Sequence, residues 1–339
     1  MKLGILGTGM IVKDLMQTVD RFPLEKKVLL STKASTKNAE QIASDNGFDA
    51  VYYDYDELLA SDIDTVYVAL PNFLHYGFAK KALEAGKNVI IEKPVTANYA
   101  ELADLKKTAE EKRLMILEAM NIPYLPAYAQ VKEHLADLGN IRIVSLNYSQ
   151  YSSRYDAFKK GQILPSFDPH KAGGALMDLN VYNIHFIAGL FGEPEEVSYQ
   201  ANIVKGIDTS GILTLKYKDF QAVAIGAKDC KAPVLSTIQG DQGSLQIHKP
   251  VNHLASFVIE KNDGASESYD SDPDTHRLYY EFMEFIRIID EKDFQAMEER
   301  LRVSSIASRI MEAARRDAGI VFDNDLNWED SWQITGHFD

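Results

Sequence analysis

The stretch that decides the fold is Lys2-Leu3-Gly4-Ile5-Leu6-Gly7-Thr8-Gly9-Met10-Ile11-Val12 at the start of the chain. Its first five residues predict a strand, and the residues after Gly9 open a helix. Gly7 permits a tight turn there, and Gly9 lets the backbone approach a pyrophosphate, whose charge the helix N-terminus stabilises. The alternative is an ordinary strand-to-helix turn. The place of the motif directly after the first strand favours dinucleotide binding. The candidate cofactor-binding residues of this turn are Gly7, Thr8, Gly9, Met10 and Ile11.

Short apolar runs alternate with amphipathic stretches over the first 120 residues, which is the pattern of repeated βαβ units. The predicted strands are residues 2–6, 27–31, 50–53, 65–70, 88–91 and 115–118. We therefore expect an α/β protein with an N-terminal Rossmann domain, a doubly wound parallel sheet, over residues 1–121.

The pattern changes after Asn121, where Pro123 and Pro126 interrupt it. A helix to about residue 138 and a long strand at 141–151 are predicted next, and several strand-like runs follow from 197 to 260. Helices at 275–289 and 298–318 close the chain. Residues 122–339 are therefore predicted to form an α+β domain with a mainly antiparallel sheet, which holds the substrate.

The end of the second strand normally selects the cofactor, because an acidic residue there binds a free ribose hydroxyl and repels a 2'-phosphate. The chain has no acid at this point and reads Ser31-Thr32-Lys33-Ala34-Ser35-Thr36-Lys37. Hydroxyl and ammonium groups are suited to a phosphate. Ser31 and Lys33 are therefore candidate cofactor contacts, and NADP is favoured over NAD; a solvated loop is the alternative.

Two further motifs follow predicted strands: Pro71-Asn72-Phe73-Leu74-His75 and Glu92-Lys93-Pro94. Open α/β sheets bind ligands at the carboxyl ends of their strands, which predicts Lys93 near the nicotinamide. A lysine beside a glutamate is more often a weak surface ion pair. A partly buried ammonium can instead polarise a carbonyl or relay a proton. The candidate cofactor-binding residues at these strand ends are Leu70, Pro71, Asn72, His75, Glu92 and Lys93.

A fourth motif runs from Gly173-Gly174-Ala175-Leu176-Met177-Asp178 to His185. On a helix, Asp178, Tyr182 and His185 would share one face, and all three side chains can exchange protons. Residues of these types on a helix are more often core or boundary residues. Their combination with Lys93 favours a catalytic role.

Composition excludes several classes of function. The chain has 36 Lys and Arg against 50 Asp and Glu, a net charge of −14, which argues against nucleic acid or an anionic membrane as partner. No segment resembles a signal peptide or a membrane span. The single cysteine, Cys230, excludes an internal disulfide and fits the reducing cytoplasm. The eight histidines show no zinc-site spacing, so no metal is expected.

Taken together, the Gly-Thr-Gly turn, Pro-Asn-x-x-His, Ala-Gly-Lys-x-Val-Ile-x-Glu-Lys-Pro and Gly-Gly-Ala-Leu-x-Asp motifs resemble the Gfo/Idh/MocA family of oxidoreductases (glucose-fructose oxidoreductase, inositol dehydrogenase, dihydrodiol dehydrogenase). The resemblance implies Lys93, Asp178 and Tyr182 as the catalytic group, and a large open sheet in the second domain that makes an oligomer interface. The chain departs from the family pattern at Val12, Asn180 and Pro123, where glycine, glycine and arginine are usual.

The function predicted from these observations is an NAD(P)-dependent dehydrogenase or reductase that acts on a sugar, polyol or related hydroxy or carbonyl compound. Lys93 and Tyr182 would handle the proton. The alternative is a dinucleotide-sensing regulator without catalysis, since the same fold serves both. Tyr151, Arg154 and His185 are candidate substrate contacts. The expected assembly is a homodimer or homotetramer. The strands from 197 to 260 would need cover on their outer face, and the apolar candidates on alternating positions are Ile203, Leu213, Leu215, Val223 and Ile225.

Overall fold

The computed structural model describes residues 1–271 and 275–326, and their contacts divide the chain into two units. Unit 1 contains Met1–Ala119, Leu278–Ser305 and the described residues from Asn324 onward, and unit 2 contains Met120–Arg277 and Ile306–Asp323. The sequence predicts a single domain boundary after residue 121. The contacts of the structure instead group residues 278–305 with the first unit.

The described chain has fourteen strands, labelled in chain order. They are β1 (Lys2–Leu6), β2 (Lys26–Leu30), β3 (Ala50–Tyr52), β4 (Thr65–Val68), β5 (Asn88–Glu92), β6 (Ile116–Ala119), β7 (Ile141–Ser149), β8 (Glu196–Val204), β9 (Ile207–Lys216), β10 (Gln221–Ala227), β11 (Ser236–Gly240), β12 (Gly243–Ile247), β13 (Ser256–Lys261) and β14 (Ser266–Asp270).

The α-helices of the described residues are labelled in the same way. They are α1 (Met10–Met16), α2 (Thr36–Asp45), α3 (Tyr55–Ala60), α4 (His75–Glu84), α5 (Tyr99–Lys112), α6 (Pro126–His134), α7 (Tyr155–Lys159), α8 (Val181–Phe191), α9 (Arg277–Glu291), α10 (Phe294–Asp317) and α11 (Asp323–Leu326). None of them is long and apolar enough to cross a membrane.

Unit 1 is built on a six-stranded parallel sheet in the order β3-β2-β1-β4-β5-β6. A parallel sheet is covered on both faces, and strands β4 and β6 are accordingly buried along their whole length. All six strands predicted from the sequence are present, and each end agrees within two residues. The prediction of a doubly wound Rossmann sheet is confirmed.

Local signals place the helices of this unit. The side chain of Asn98 accepts a hydrogen bond from Glu101 N, and the buried Glu101 carboxylate accepts one from Ala97 N, so donors at the start of α5 are satisfied. Asp54 caps α3 in the same way through Glu57 N.

Helices α9 and the first half of α10 group with unit 1 because their apolar residues pack on its core. Phe282 stacks on Phe22 with ring centroids 5.4 Å apart and meets Tyr67 edge-on at 5.1 Å. Met297 Sδ accepts a hydrogen bond from Ile116 N of β6. Periodicity shows that such a helix buries one face, but it does not show which core covers that face.

Unit 2 is built on an eight-stranded sheet in the order β14-β13-β12-β11-β7-β10-β9-β8. Strands β7 and β10 pair in parallel, and the other neighbours pair antiparallel. Helix α8 is buried from Val181 to Ala188, and the side chain of Asn183 donates a hydrogen bond to Ile225 O of β10. The prediction of a mainly antiparallel sheet in an α+β domain is confirmed.

The strand pleat decides which apolar side chains of this sheet face outward. The sequence suggested Ile203, Leu213, Leu215, Val223 and Ile225 for the outer face, and Leu213 and Leu215 are both buried. That suggestion is wrong for these two leucines, because Leu213 pairs with the buried Ala224. The exposed apolar residues of the sheet and the loop before β11 are Ile143, Ile203, Val204, Ile212 and Leu235.

A buried carboxylate at the start of β9 holds the segment that leads into α8. Asp208 Oδ2 accepts hydrogen bonds from Leu176 N at 2.7 Å and from the Tyr199 hydroxyl at 2.7 Å. Gly174, at φ 107°, lies so close that an added Cβ would clash with Asp208 Oδ1. Burial raises the pKa of Asp208 to about 6, against the opposing effects of these two donors and of the Lys228 charge.

Because the folded pKa of Asp208 lies above that of an unfolded aspartate, its ionisation costs stability as the pH rises from about 4 to about 6. Two pKa units correspond to roughly 3 kcal/mol. We expect Asp208→Asn, which stays neutral, to gain stability relative to the wild type over this interval. Thermal unfolding of both proteins between pH 4 and pH 7.5 measures the difference.

Asp317 provides a control of opposite sign, because its backbone hydrogen bond from Tyr199 N lowers its pKa. Asp317→Asn should therefore be less stable than the wild type at pH 7, and this deficit should shrink as the pH falls below about 4. An Asp208→Asn difference that stays constant with pH would show that the carboxyl does not titrate in this interval.

Candidate active site

The glycine turn lies where the strand order of unit 1 reverses, between β1 and β4. Gly7 has φ 104°, and a Cβ there would lie 2.8 Å from Ala69 O, so no other residue fits without moving the backbone. Gly9 is exposed, and open space surrounds the position of its missing side chain. The turn thus presents bare backbone at the crevice in which such sheets bind ligands.

The third position of the glycine motif also has a structural explanation. Val12 is fully buried in α1, so the helix meets the sheet through an apolar side chain. Met10 is strongly exposed and Ile11 is half-buried, beside the open turn. Asn38 of α2 donates a weak hydrogen bond to Thr8 O and connects the turn to the segment after β2.

The segment after β2 carries hydroxyl and ammonium groups. Ser31 is buried and continues the pairing with β3 through its backbone, since Ser31 N donates to Tyr52 O. Lys33 and Lys37 are exposed, and Thr36 Oγ1 donates to Lys33 O. The ammonium groups of these two lysines are therefore exposed to solvent, at the edge of the sheet where the glycine turn lies.

His75 braces the loops that follow β4 and β5. The side chain is fully buried, with Nδ1 2.9 Å from Pro94 O and Nε2 2.8 Å from Leu70 O. Burial lowers the pKa of His75, and a neutral imidazole can donate to one of these carbonyls at a time. The sequence predicts His75 as a cofactor contact, and in the structure its ring bridges the two loops. Pro71 is exposed and Asn72 half-buried beside them.

Glu92 and Lys93 point to different surroundings. The Glu92 carboxylate is buried and accepts a hydrogen bond from the Tyr67 hydroxyl, with a second from Lys93 N at 3.3 Å. Lys93 is half-buried, and Val95 N beyond it is held by the Glu118 carboxylate at 3.0 Å. The loop that carries Lys93 is therefore fixed on both sides by buried polar groups.

In unit 2, the segment before α8 is wound more widely than the α-helix that the sequence predicts. Leu176–Asn180 forms a π-helical turn, and α8 begins at Val181. Such turns are frequent at functional sites, and the extra residue shifts side chains around the helix relative to α-helical spacing. Asp178 lies in the π turn with its side chain 36% exposed, whereas Tyr182 is buried in α8 and its ring lies 6.0 Å from that of Tyr148.

Two polar side chains for which the sequence predicts no role hold this turn. Lys228, at the end of β10, forms an ion pair with Asp178 at 2.7 Å. Asn180 donates to Ala224 O at 3.0 Å and accepts from Asn183, and a Cβ on Gly226 would contact it. Asn180 therefore ties the turn to β10 where the family usually has glycine. A lysine after an alternating strand gave no signal of its own.

The candidate substrate residues of unit 2 lie in two places. Tyr151 is exposed, and its hydroxyl donates to Asp156 and accepts from Lys159. Arg154 is half-buried and donates to Ser166 Oγ at 3.4 Å. His185 is buried in α8, one turn after Tyr182. The aromatic and charged side chains near Tyr151 provide hydrogen-bonding groups at the surface of this unit.

Each unit thus gathers one part of the expected chemistry. In unit 1, the candidate residues lie at the carboxyl ends of β1, β2, β4 and β5, as the sequence predicted. In unit 2, Asp178 and Tyr182 lie on consecutive turns of one helical segment. Within the described residues, no cluster of three His, Cys, Asp or Glu side chains could hold a metal ion.

Comparison with known families gives two adjacent matches. Residues 1–120 match the oxidoreductase family with an NAD-binding Rossmann fold, and residues 128–246 match the Gfo/Idh/MocA C-terminal domain. A scyllo-inositol 2-dehydrogenase (NADP(+)) of Bacillus subtilis is 32% identical over 96% of this chain and 99% of its own. A D-xylose 1-dehydrogenase (NADP(+)) of Hypocrea jecorina is 27% identical over 95% and 93%.

Among solved structures, a 3-ketoreductase from Actinomadura kijaniata in complex with NADP and TDP-benzene superposes with a TM-score of 0.81. The match covers 95% of this chain and 99% of that chain at 21% identity, so it shows the shared fold. The family matches and the relative at 32% identity extend over both units of the chain. The chain therefore belongs to the Gfo/Idh/MocA family of oxidoreductases with an NAD-binding Rossmann fold.

Proposed function

We propose that the protein transfers a hydride between NADP and a carbon that bears a hydroxyl or carbonyl group in a sugar or polyol. Family membership supports this proposal most directly, together with two relatives named as NADP(+)-dependent dehydrogenases of inositol and xylose. Lys93 and Tyr182 exchange the substrate proton, and Asp178 orients the reacting groups. The residues of both units fit these roles by type.

The residues of unit 1 fit a dinucleotide. The bare backbone at Gly7 and Gly9 suits a pyrophosphate, because no side chain fills the space beside Gly9. Ser31 and Lys33 suit a ribose phosphate, and Asn72 and Lys93 lie at the strand ends where the nicotinamide is expected. When bound, the cofactor supplies or accepts the hydride.

The proton chemistry belongs to the chain's own residues. As a substrate hydroxyl is oxidised, its oxygen gives up a proton, and the ammonium of Lys93 stabilises the negative charge that develops there. The Tyr182 hydroxyl passes this proton on, and in the reverse direction it donates one. The Asp178 carboxylate accepts a hydrogen bond from the substrate and fixes the orientation of the reacting groups.

Lys93→Met should lower kcat by about a hundredfold or more and leave the affinity for NADPH nearly unchanged, since it removes charge stabilisation in the transition state alone. Tyr182→Phe should lose less. Turnover is followed by cofactor absorbance with scyllo-inositol, myo-inositol, D-xylose and a trans-dihydrodiol, and NADPH affinity by calorimetry.

Tyr217→Phe is the matched control for Tyr182→Phe, because Tyr217 is also buried in unit 2 and donates to Gly192 O. Its kcat should equal that of the wild type. Near-normal turnover in Lys93→Met would overturn the role of the lysine. A wild type that binds NADPH tightly and turns over no compound of the panel would favour the alternative, a dinucleotide-sensing regulator.

The preference for NADP depends on Lys33 and Lys37. The double variant Lys33→Ala with Lys37→Ala should raise the Kd for NADPH about tenfold or more, the scale of one lost charge-assisted hydrogen bond, and leave the Kd for NADH within about twofold. Calorimetric titration of both cofactors measures this. Lys107→Ala, on the exposed face of α5, is the control and should change neither Kd.

If the wild type binds NADH more tightly than NADPH, the assignment of the phosphorylated cofactor is wrong. An equal loss of affinity for both cofactors in the double variant would place the two lysines on a part of the dinucleotide that both share.

We further propose that the protein assembles as a homodimer or homotetramer through the outer face of the unit 2 sheet. Ile143, Ile203 and Ile212 lie on three different strands of this sheet and are each nearly half exposed. Exposed apolar surface of this kind indicates an interface. Helix α8 covers the opposite face.

Ile212→Lys should shift the protein toward monomer. The new ammonium group would be buried in the interface against a second subunit, and burial of an unpaired charge is costly. Ile163→Lys is the control, since Ile163 is 46% exposed against 45% for Ile212 and lies in a loop outside the sheet. Light scattering at micromolar concentration measures both variants. A wild-type monomer at that concentration would exclude the proposed assembly.

A further inference from the structure

Lys228 is a deeply buried charged side chain that contacts Asp178, a candidate catalytic residue of unit 2. It follows the last residue of β10, and its backbone N donates to Thr209 O at 2.8 Å, which fixes the position on the neighbouring strand. Only 2% of the side chain is exposed. Burial of an ammonium group is costly unless an opposite charge and hydrogen-bond acceptors surround it.

The surroundings of the Lys228 ammonium meet that requirement. Its Nζ donates to Asp178 Oδ2 at 2.7 Å and to Ser166 O at 2.5 Å, and lies 4.3 Å from the centre of the Phe167 ring. Phe167 is itself fully buried and stacks on Phe158 at 4.9 Å. The contacts of the ammonium therefore include a carboxylate, a carbonyl and an aromatic face.

Asp178 differs from its partner in exposure. Its side chain is 36% exposed, so the carboxylate lies partly at the surface, while its Oδ2 pairs with the buried Lys228 ammonium. The π-helical backbone around it does not impose the side-chain direction of a regular α-helix. The ion pair with the lysine therefore helps to fix the direction of the carboxylate.

We propose that Lys228 is a positioning residue that holds the Asp178 carboxylate in one orientation, so that Asp178 can act on the substrate. This inference rests on the proposed function, in which Asp178 orients the reacting groups. The opposing reading is that Lys228 only anchors the loop at Ser166, with the carboxylate as a neutralising neighbour. The two readings differ in whether the effects of the two residues on turnover are independent.

The experiment is a double-mutant cycle on kcat and KM with Lys228→Met, Asp178→Asn and both together. If Lys228 acts through Asp178, each single variant lowers kcat roughly tenfold or more, and the double variant is no slower than Asp178→Asn, because coupled residues are not additive. The Kd for NADPH should stay unchanged throughout. Multiplicative losses in the double variant, or a wild-type kcat in Lys228→Met, would overturn the proposal.

Lys205→Met is the matched control. Lys205 Nζ donates to Phe158 O at 2.7 Å and lies 4.8 Å from the centre of the Phe158 ring. It therefore contacts Phe158 much as Lys228 contacts Phe167, on which Phe158 stacks. If anchoring of the loop were enough to explain Lys228, Lys205→Met would lower kcat similarly. We expect its kcat to match the wild type.

Should Lys228→Met fail to fold, Lys228→Gln takes its place in the cycle, since its shorter amide side chain can still donate a hydrogen bond in the buried position but removes the ion pair with Asp178. The same non-additive pattern is expected. Failure of the proposed function is recognised separately, as a wild type inactive with every compound of the panel. Failure of the present inference is an active wild type whose two variants act independently.

Discussion

A backbone carbonyl occupies the space that a side chain at position 7 would need, and unit 1 depends on this close approach. Strands β1 and β4 pair along Leu3 to Leu6, and the chain leaves β1 through Gly7 at a positive φ that glycine tolerates best. From β1 the chain continues to β2 on one side of the reversal, and from β4 it continues to β5 on the other. A crevice at the carboxyl ends of the strands follows from that reversal, and the candidate cofactor residues lie around it.

Unit 2 is organised differently, because charged and amide groups lie inside an otherwise apolar layer between α8 and the sheet. Asp208 accepts a hydrogen bond from the backbone at the start of the π turn, and Asn180 connects the turn to β10 by a hydrogen bond. Lys228 forms an ion pair with Asp178. Buried charges of this kind add little net stability compared with apolar side chains of similar size. Their value lies in fixing one arrangement of the segment that carries Asp178 and Tyr182, which agrees with a site where orientation matters more than stability.

Sequence reasoning reached the Rossmann sheet and the second, antiparallel sheet because both depend on short-range patterns. The apolar strands with intervening amphipathic helices, the glycine turn at 7–9 and the motifs at Lys93 and Asp178 are visible without a structure. The same reasoning misassigned Leu213 and Leu215 to the outer face, because a strand with apolar residues on both faces gives no register until its neighbours are known. It also placed α9 by chain order, although Phe282 packs on the core of unit 1.

What the sequence by itself determined is the class of fold, the strand ends at which the candidate residues lie, and the family, since periodicity and local motifs are properties of neighbouring residues. What only the tertiary structure decided is how residues far apart in the chain constrain one another. His75 and Pro94, Lys228 and Asp178, and Asp208 and Leu176 are separated by many residues, and burial makes each pair interact strongly. The cost of removing a polar group from water is set by everything that surrounds it, and these surroundings exist only once both sheets have formed.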